Sequence, residues 1–148
     1  MDALLCDLPG RQTIAFSYQG DIYTVPSSGG KARQLTTHPA HDTRPVWSPD
    51  GQKIAFASNR SGNFDVFLMN KEGGEPKRLT THSTNEYPTT FKDNGHILYL
   101  ANILQDAKDI QFPGTRFMQV YEISTDGGRP GFIFFVIHGE YSPQQGWQ

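Results

Sequence analysis

The sequence predicts an all-β chain of about three four-stranded antiparallel units, and three observations carry that prediction. Fifteen Gly and 10 Pro punctuate short runs of Val, Ile, Phe and Tyr. Gly and Pro supply the backbone angles of reversals, while β-branched and aromatic side chains fit a pleated surface. A set of short motifs recurs at an offset of 44 residues, and turn formers divide each recurrence into strand-length runs.

Asp21-Ile-Tyr23 returns as Asp65-Val-Phe67, Gly29-Gly30 as Gly73-Gly74, and Gln34-Leu-Thr-Thr-His38 as Arg78-Leu-Thr-Thr-His82. Ile14-Ala-Phe16 returns as Ile54-Ala-Phe56. A third copy maps Trp47 to Phe91, Gly51 to Gly95 and Ile54-Ala-Phe-Ala to Leu98-Tyr-Leu-Ala, then lengthens by ten residues before Gln119-Val-Tyr121 and Gly127-Gly128. The added length, Asn102 to Met118, is expected as an enlarged surface hairpin, since loops accept insertions more readily than strands.

Within one unit, Pro45 to Ser48, Lys53 to Ser58, Phe64 to Met69 and Glu75 to Thr80 are expected as strands. Between them Ser48-Pro-Asp-Gly51, Asn59-Arg-Ser-Gly-Asn63 and Asn70-Lys-Glu-Gly-Gly74 reverse the chain. Four antiparallel strands in about 44 residues describe one blade of a β-propeller. Blade 1 is expected over about 3–36, blade 2 over about 44–80 and blade 3 over about 87–136, with a degenerate tail over 137–148. Both faces of a blade lie against neighbours, so Ile54-Ala-Phe-Ala and Val66-Phe-Leu-Met are apolar on both sides rather than alternating.

These units resemble the TolB/tricorn-type propeller repeat. The match is fullest over 45–80: Pro45-Val-Trp-Ser-Pro-Asp-Gly51, Ile54-Ala-Phe-Ala-Ser58, Arg60-Ser-Gly62, Asp65-Val-Phe67, Gly73-Gly74 and Arg78-Leu-Thr80. The stretch from Ile14 to Pro130 is most similar to the amino-terminal propeller of bacterial tricorn-like serine peptidases. That resemblance implies a six-bladed ring, a non-catalytic module for peptide or protein binding or substrate gating, catalytic domains elsewhere in the parent protein, and a periplasmic or extracytoplasmic setting. Both ends depart from the repeat, at Ala3 to Gly10 and from Phe132 onward.

Three blades leave two blade faces to be covered. Two arrangements do so: the remaining blades of a longer ring, or a second copy of the chain forming a six-bladed homodimer.

The bulk numbers exclude other classes. A formal charge of −2 gives no general attraction to nucleic acid. The start, with an apolar run of four residues between Asp2 and Asp7, is not a secretory signal, and the run Phe132 to Ile137 is too short to span a bilayer. A single cysteine, Cys6, cannot form an internal disulfide or a Cys-rich zinc site.

Chemistry is sparse, and no catalytic residue, cofactor or metal site is expected. His38, His41, Asp42 and His82 invite a metal reading, but His38 and His82 are repeat equivalents and belong to neighbouring blades. Ser48 and Ser142 lie in Ser-Pro turns rather than a nucleophile elbow. Gly29-Gly-Lys31 lacks the other residues of a phosphate loop. Arg60 and Asp65 flank one hairpin and are expected to pair. Trp47 and Phe91 are expected to pack between blades. The joining loops, with His38, His41, Asp42, Arg44, His82, Asn85, Glu86 and Tyr87, are expected at one mouth of the channel, where a rigid scaffold presents ligand contacts.

Overall fold

A computed structural model describes residues 12–101, 118–137 and 140–141 of the chain. Cys6, the start of blade 1, the inserted segment 102–117 and Ser142 lie outside the described residues. Every regular element among the described residues is a β-strand.

The strands fall into three antiparallel sheets. β1 (Thr13–Tyr18), β2 (Asp21–Pro26) and β3 (Arg33–Gln34) form the first, in that order. β4 (Asp42–Trp47), β5 (Lys53–Ser58), β6 (Asp65–Asn70) and β7 (Gly73–Arg78) form a complete four-stranded meander. β8 (Glu86–Asp93), β9 (His96–Ala101), β10 (Met118–Ser124) and β11 (Gly131–Ile137) repeat it, and β12 (Glu140–Tyr141) adds a short fifth strand beyond β11. The divergent run from Phe132 is therefore an outer strand in register with β10, with Val120 opposite Phe134.

Turn geometry explains why the Ile-Ala-Phe motif recurs at 40 rather than 44. Gln19 and Gly20, at φ 50° and 88°, join β1 to β2 in a two-residue reversal, with Tyr18 paired to Asp21. Positive φ at both central residues gives the turn a twist that suits a tight hairpin. The same connection in blade 2 runs from Asn59 to Phe64, four residues longer.

The core lies between blades. Alternation along β5 and β6 sends Ile54, Phe56, Phe67 and Met69 toward the first sheet, where they meet Trp47, Ala15 and Ile22. It sends Ala55, Val66 and Leu68 toward the third sheet, where they meet Val46, Leu79, Phe91, Ile97, Tyr99, Ala101 and Ile123. Trp47 and Phe91, 5% and 8% exposed, thus fill successive seams from equivalent positions. Blade 2 is apolar on both faces because both faces are interior.

Candidate functional site at the loop end of the blades

The strands of blade 2 run so that Asp42, Ser58 and Asp65 lie at one end, with Asp42 opposite Ser58 and Ser58 opposite Asp65. The connections 35–41, 59–64 and 79–85 gather at that end. Equivalent backbone bonds tie each blade to the next: the Asp42 N–H donates to Gly20 O at 2.8 Å, and the Glu86 N–H donates to Phe64 O at 2.7 Å. Within each blade a hydroxyl holds the end of the outer segment to its neighbouring strand, since the Ile22 N–H donates to Thr36 Oγ1 and the Val66 N–H to Thr80 Oγ1, both at 2.9 Å. The repeated Leu-Thr-Thr-His motif thus closes the loop end of its own blade.

The structure separates the expected site residues into three groups. His38 and His82 are turn caps: His38 Nδ1 accepts the Ala40 N–H at 3.0 Å, and His82 Nδ1 accepts the Thr84 N–H at 3.3 Å. Asn85 Oδ1 likewise accepts the Phe64 N–H. Asp42 and Glu86 open strands β4 and β8 and are fully buried. His41, Arg44 and Tyr87 converge.

That convergence depends on a bulge. Thr43 pairs with Ala57 and Val46 with Ala55, so Arg44 and Pro45 together oppose Phe56. Pro45 has no N–H to give the ladder, and the displaced residue before it, Arg44, takes φ 53°. A non-glycine residue there costs about 1–2 kcal/mol. The geometry sets the Arg44 guanidinium 4.4 Å from the centre of the Tyr87 ring. Tyr87 lies 5.4 Å from Phe64, and Phe64 meets His41 edge-on at 6.1 Å. The result is a ladder of His41, Phe64, Tyr87 and Arg44 with a cation over an aromatic face at one end. Phe64 was not singled out from the sequence; its place just before the Asp-Val-Phe motif made it look like the first residue of a strand.

The expected pairing of Arg60 with Asp65 is replaced by two others. Arg60 does not pair with Asp65; its Nη2 donates to both carboxylate oxygens of Asp42, at 3.1 and 2.9 Å, while its guanidinium lies 4.9 Å from the Phe67 ring. Asp65 instead meets Arg78 Nη2 at 2.8 Å. The reason is strand placement: Arg60 folds back over the seam toward blade 1, and Arg78 sits on β7 beside β6.

Burial pushes the Asp65 carboxyl up, against the opposing pull of Arg78. Burial also pushes Glu86 up, and the charge of Asp65 adds to it. At the surface, Arg33 holds Glu72 below its ordinary value through a hydrogen bond.

Among the described residues no group of three or more His, Cys, Asp and Glu side chains is placed to hold a metal ion. No helix among them is long and apolar enough to cross a membrane. Ser48 is a turn residue: its hydroxyl donates to Asp50 and accepts the Lys53 N–H. What the loop end offers is contact area, a positioned cation and an imidazole.

The model of the tricorn protease N-terminal beta propeller domain matches residues 8–145. A TolB homologue of Chlorobium luteolum is 43% identical over 56 residues, which cover 38% of this chain and 13% of that protein. Tricorn protease homolog 1 of Streptomyces coelicolor is 36% identical over 60 residues, 40% of this chain and 6% of that one. The structure of a putative TolB from Agrobacterium tumefaciens superposes with a TM-score of 0.72 at 21% identity, covering 92% of this chain and 50% of that chain. The chain therefore spans half of that TolB and a small part of the curated relatives. With blades stacked through interdigitated seams and a family match over nearly its whole length, the chain belongs to the tricorn protease N-terminal β-propeller family.

Proposed function

We propose that these blades are a non-catalytic module that binds a peptide or protein segment at the loop end, as the amino-terminal propeller portion of a tricorn-like peptidase. The observation that carries the reading is the ladder of His41, Phe64, Tyr87 and Arg44. Side chains from two blades and a strained backbone position present aromatic faces and an Arg that has no ion-pair partner among the described residues. Aromatic and Arg side chains are the groups that dominate protein recognition. The family match supports the tricorn-like parent, and the likeness to TolB supports a setting outside the cytoplasm, with hydrolysis assigned to other domains.

The test is capture on an immobilised array of random-sequence peptides. His41→Ala, Arg44→Gln and Tyr87→Ala combined should abolish capture with little change in Tm, and unchanged capture overturns the assignment. Labelling of this chain by a serine-directed fluorophosphonate would overturn its non-catalytic character.

A second reading is favoured by the outward faces of the end blades. Ile14, Phe16 and Tyr18 of β1 lie opposite Val25, Tyr23 and Asp21, on the face away from blade 2, and Tyr18 is 49% exposed. On blade 3, Leu98 and Leu100 face the same way as the exposed Met118. Two copies pairing these faces would close a six-bladed ring. Light scattering on the purified chain decides: twice the 16.6 kDa chain mass supports the homodimer, and a monodisperse monomer counts against it.

A further inference from the structure

The innermost strands of blades 2 and 3 each begin with a carboxylic acid, and the two acids meet different surroundings. Asp42 receives two bonds from Arg60. Glu86, its repeat equivalent 44 residues on, is 1% exposed and reaches into the seam with blade 2. There the Thr80 side chain and the His82 backbone bond its carboxyl. Thr80 Oγ1 also accepts the Val66 N–H, so Glu86, Thr80 and β6 form one linked path. Among the described residues Glu86 Oε2 has no hydrogen-bond partner.

The charged and titratable groups facing Glu86 are Asp65 and Arg78 from blade 2 and Tyr99 and Tyr121 from blade 3. Arg78 is already engaged by Asp65. The Tyr121 hydroxyl donates to Gln119. The His82 ring is exposed and occupied with Thr84, Arg44 lies over Tyr87, and Arg60 is held by Asp42. The described residues of this seam thus place two buried carboxyls beside one cation.

We propose that Glu86 is a proton-operated latch between blades 2 and 3: as the neutral acid it closes the seam, and on ionising it puts a second negative charge beside Asp65 and loosens that seam alone. This goes beyond the binding reading and does not depend on it. Burial and the Asp65 charge both act to hold Glu86 protonated above its ordinary value of 4.5. The sign follows. The folded chain keeps a proton that the unfolded chain has released, so the stability it contributes is complete below that ordinary value and is lost as pH rises through the raised folded one.

The repeat supplies an internal control, because the Glu86 amide bonds across the seam of blades 2 and 3 and the Val66 amide bonds the Thr80 hydroxyl that also meets Glu86, while the Asp42 and Ile22 amides make the equivalent bonds beside the other seam. Hydrogen exchange of the whole chain is measured from pH 5 to pH 8 and corrected for the intrinsic base-catalysed increase. Val66 and Glu86 should lose protection severalfold with rising pH while Ile22 and Asp42 do not, and Glu86→Gln, which keeps the neutral shape, should remove the excess. Equal loss in both seams, or an excess that survives in Glu86→Gln, overturns the latch. Should that variant fail to fold, the wild-type difference between the two amide pairs still decides.

Discussion

The seam between blades 1 and 2 and the seam between blades 2 and 3 are built from the same repeat, and they solve one problem differently. In each, the joining loop must end at a strand whose first residue is an acid, buried where the loop end meets the core. In the first seam Arg60 folds over Phe56 and Phe67 and neutralises Asp42, so the core carries a charged lid. In the second, Glu86 lies beside Tyr99 and Asp65, and burial drives it toward the neutral form. A buried carboxyl requires either a cation or a proton, and the acids that open β4 and β8 use one each.

The largest way to break this comparison is to remove core from one seam only. Phe56 is fully buried in the cluster between blades 1 and 2, and Phe56→Ala should cost about 3–5 kcal/mol, measured by denaturant unfolding. Exchange protection should fall first at Ile22 and Asp42, and a loss spread evenly over both seams would mean that the blades unfold as one unit.

Asp42→Ala should come next, at about 3 kcal/mol or more, because it leaves the Arg60 guanidinium, only 13% exposed, without its ion-pair partner. The Asp42 variant should be weaker than wild type at neutral pH, whereas the Glu86→Gln variant should be at least as stable as wild type at pH 8. Identical Tm profiles for the two would erase the distinction between the seams.

A smaller effect is expected from Thr80→Val. It keeps the shape but removes the hydroxyl that serves both Val66 and Glu86, and leaving a buried donor unpaired costs about 1–3 kcal/mol. Thr36→Val makes the same change in the other seam, where Thr36 meets Ile22 and the part-exposed Asp21, and should cost less. Arg33→Gln, which breaks an exposed pair with Glu72, should leave Tm unchanged within error, and a measurable drop would show that the surface pair contributes to the seam.

Much of this was legible in the residues. The turns were legible as reversals between strands, since Gly-Gly and Ser-Pro-Asp-Gly are backbone requirements that do not depend on neighbours. Trp47 and Phe91 were legible as seam residues because equivalence in a repeat implies equivalent packing. The site was legible only in part. His38, Asn85 and His82 were expected beside His41 and Arg44 because all sit in or near the joining loops, yet His38 and His82 cap turns and Asn85 bonds the Phe64 N–H, and sequence distance says nothing about which way a loop side chain turns.

What the sequence by itself determined was the class, the repeat and the apolar character of both faces of each blade, because turn chemistry and strand composition are local properties. Only the tertiary structure decided the partners: Arg60 with Asp42 rather than Asp65, Phe64 between His41 and Tyr87, and Glu86 against a blade it does not belong to. Charge pairing and burial depend on which strand ends meet in space, and that follows from the stacking of one blade on the next.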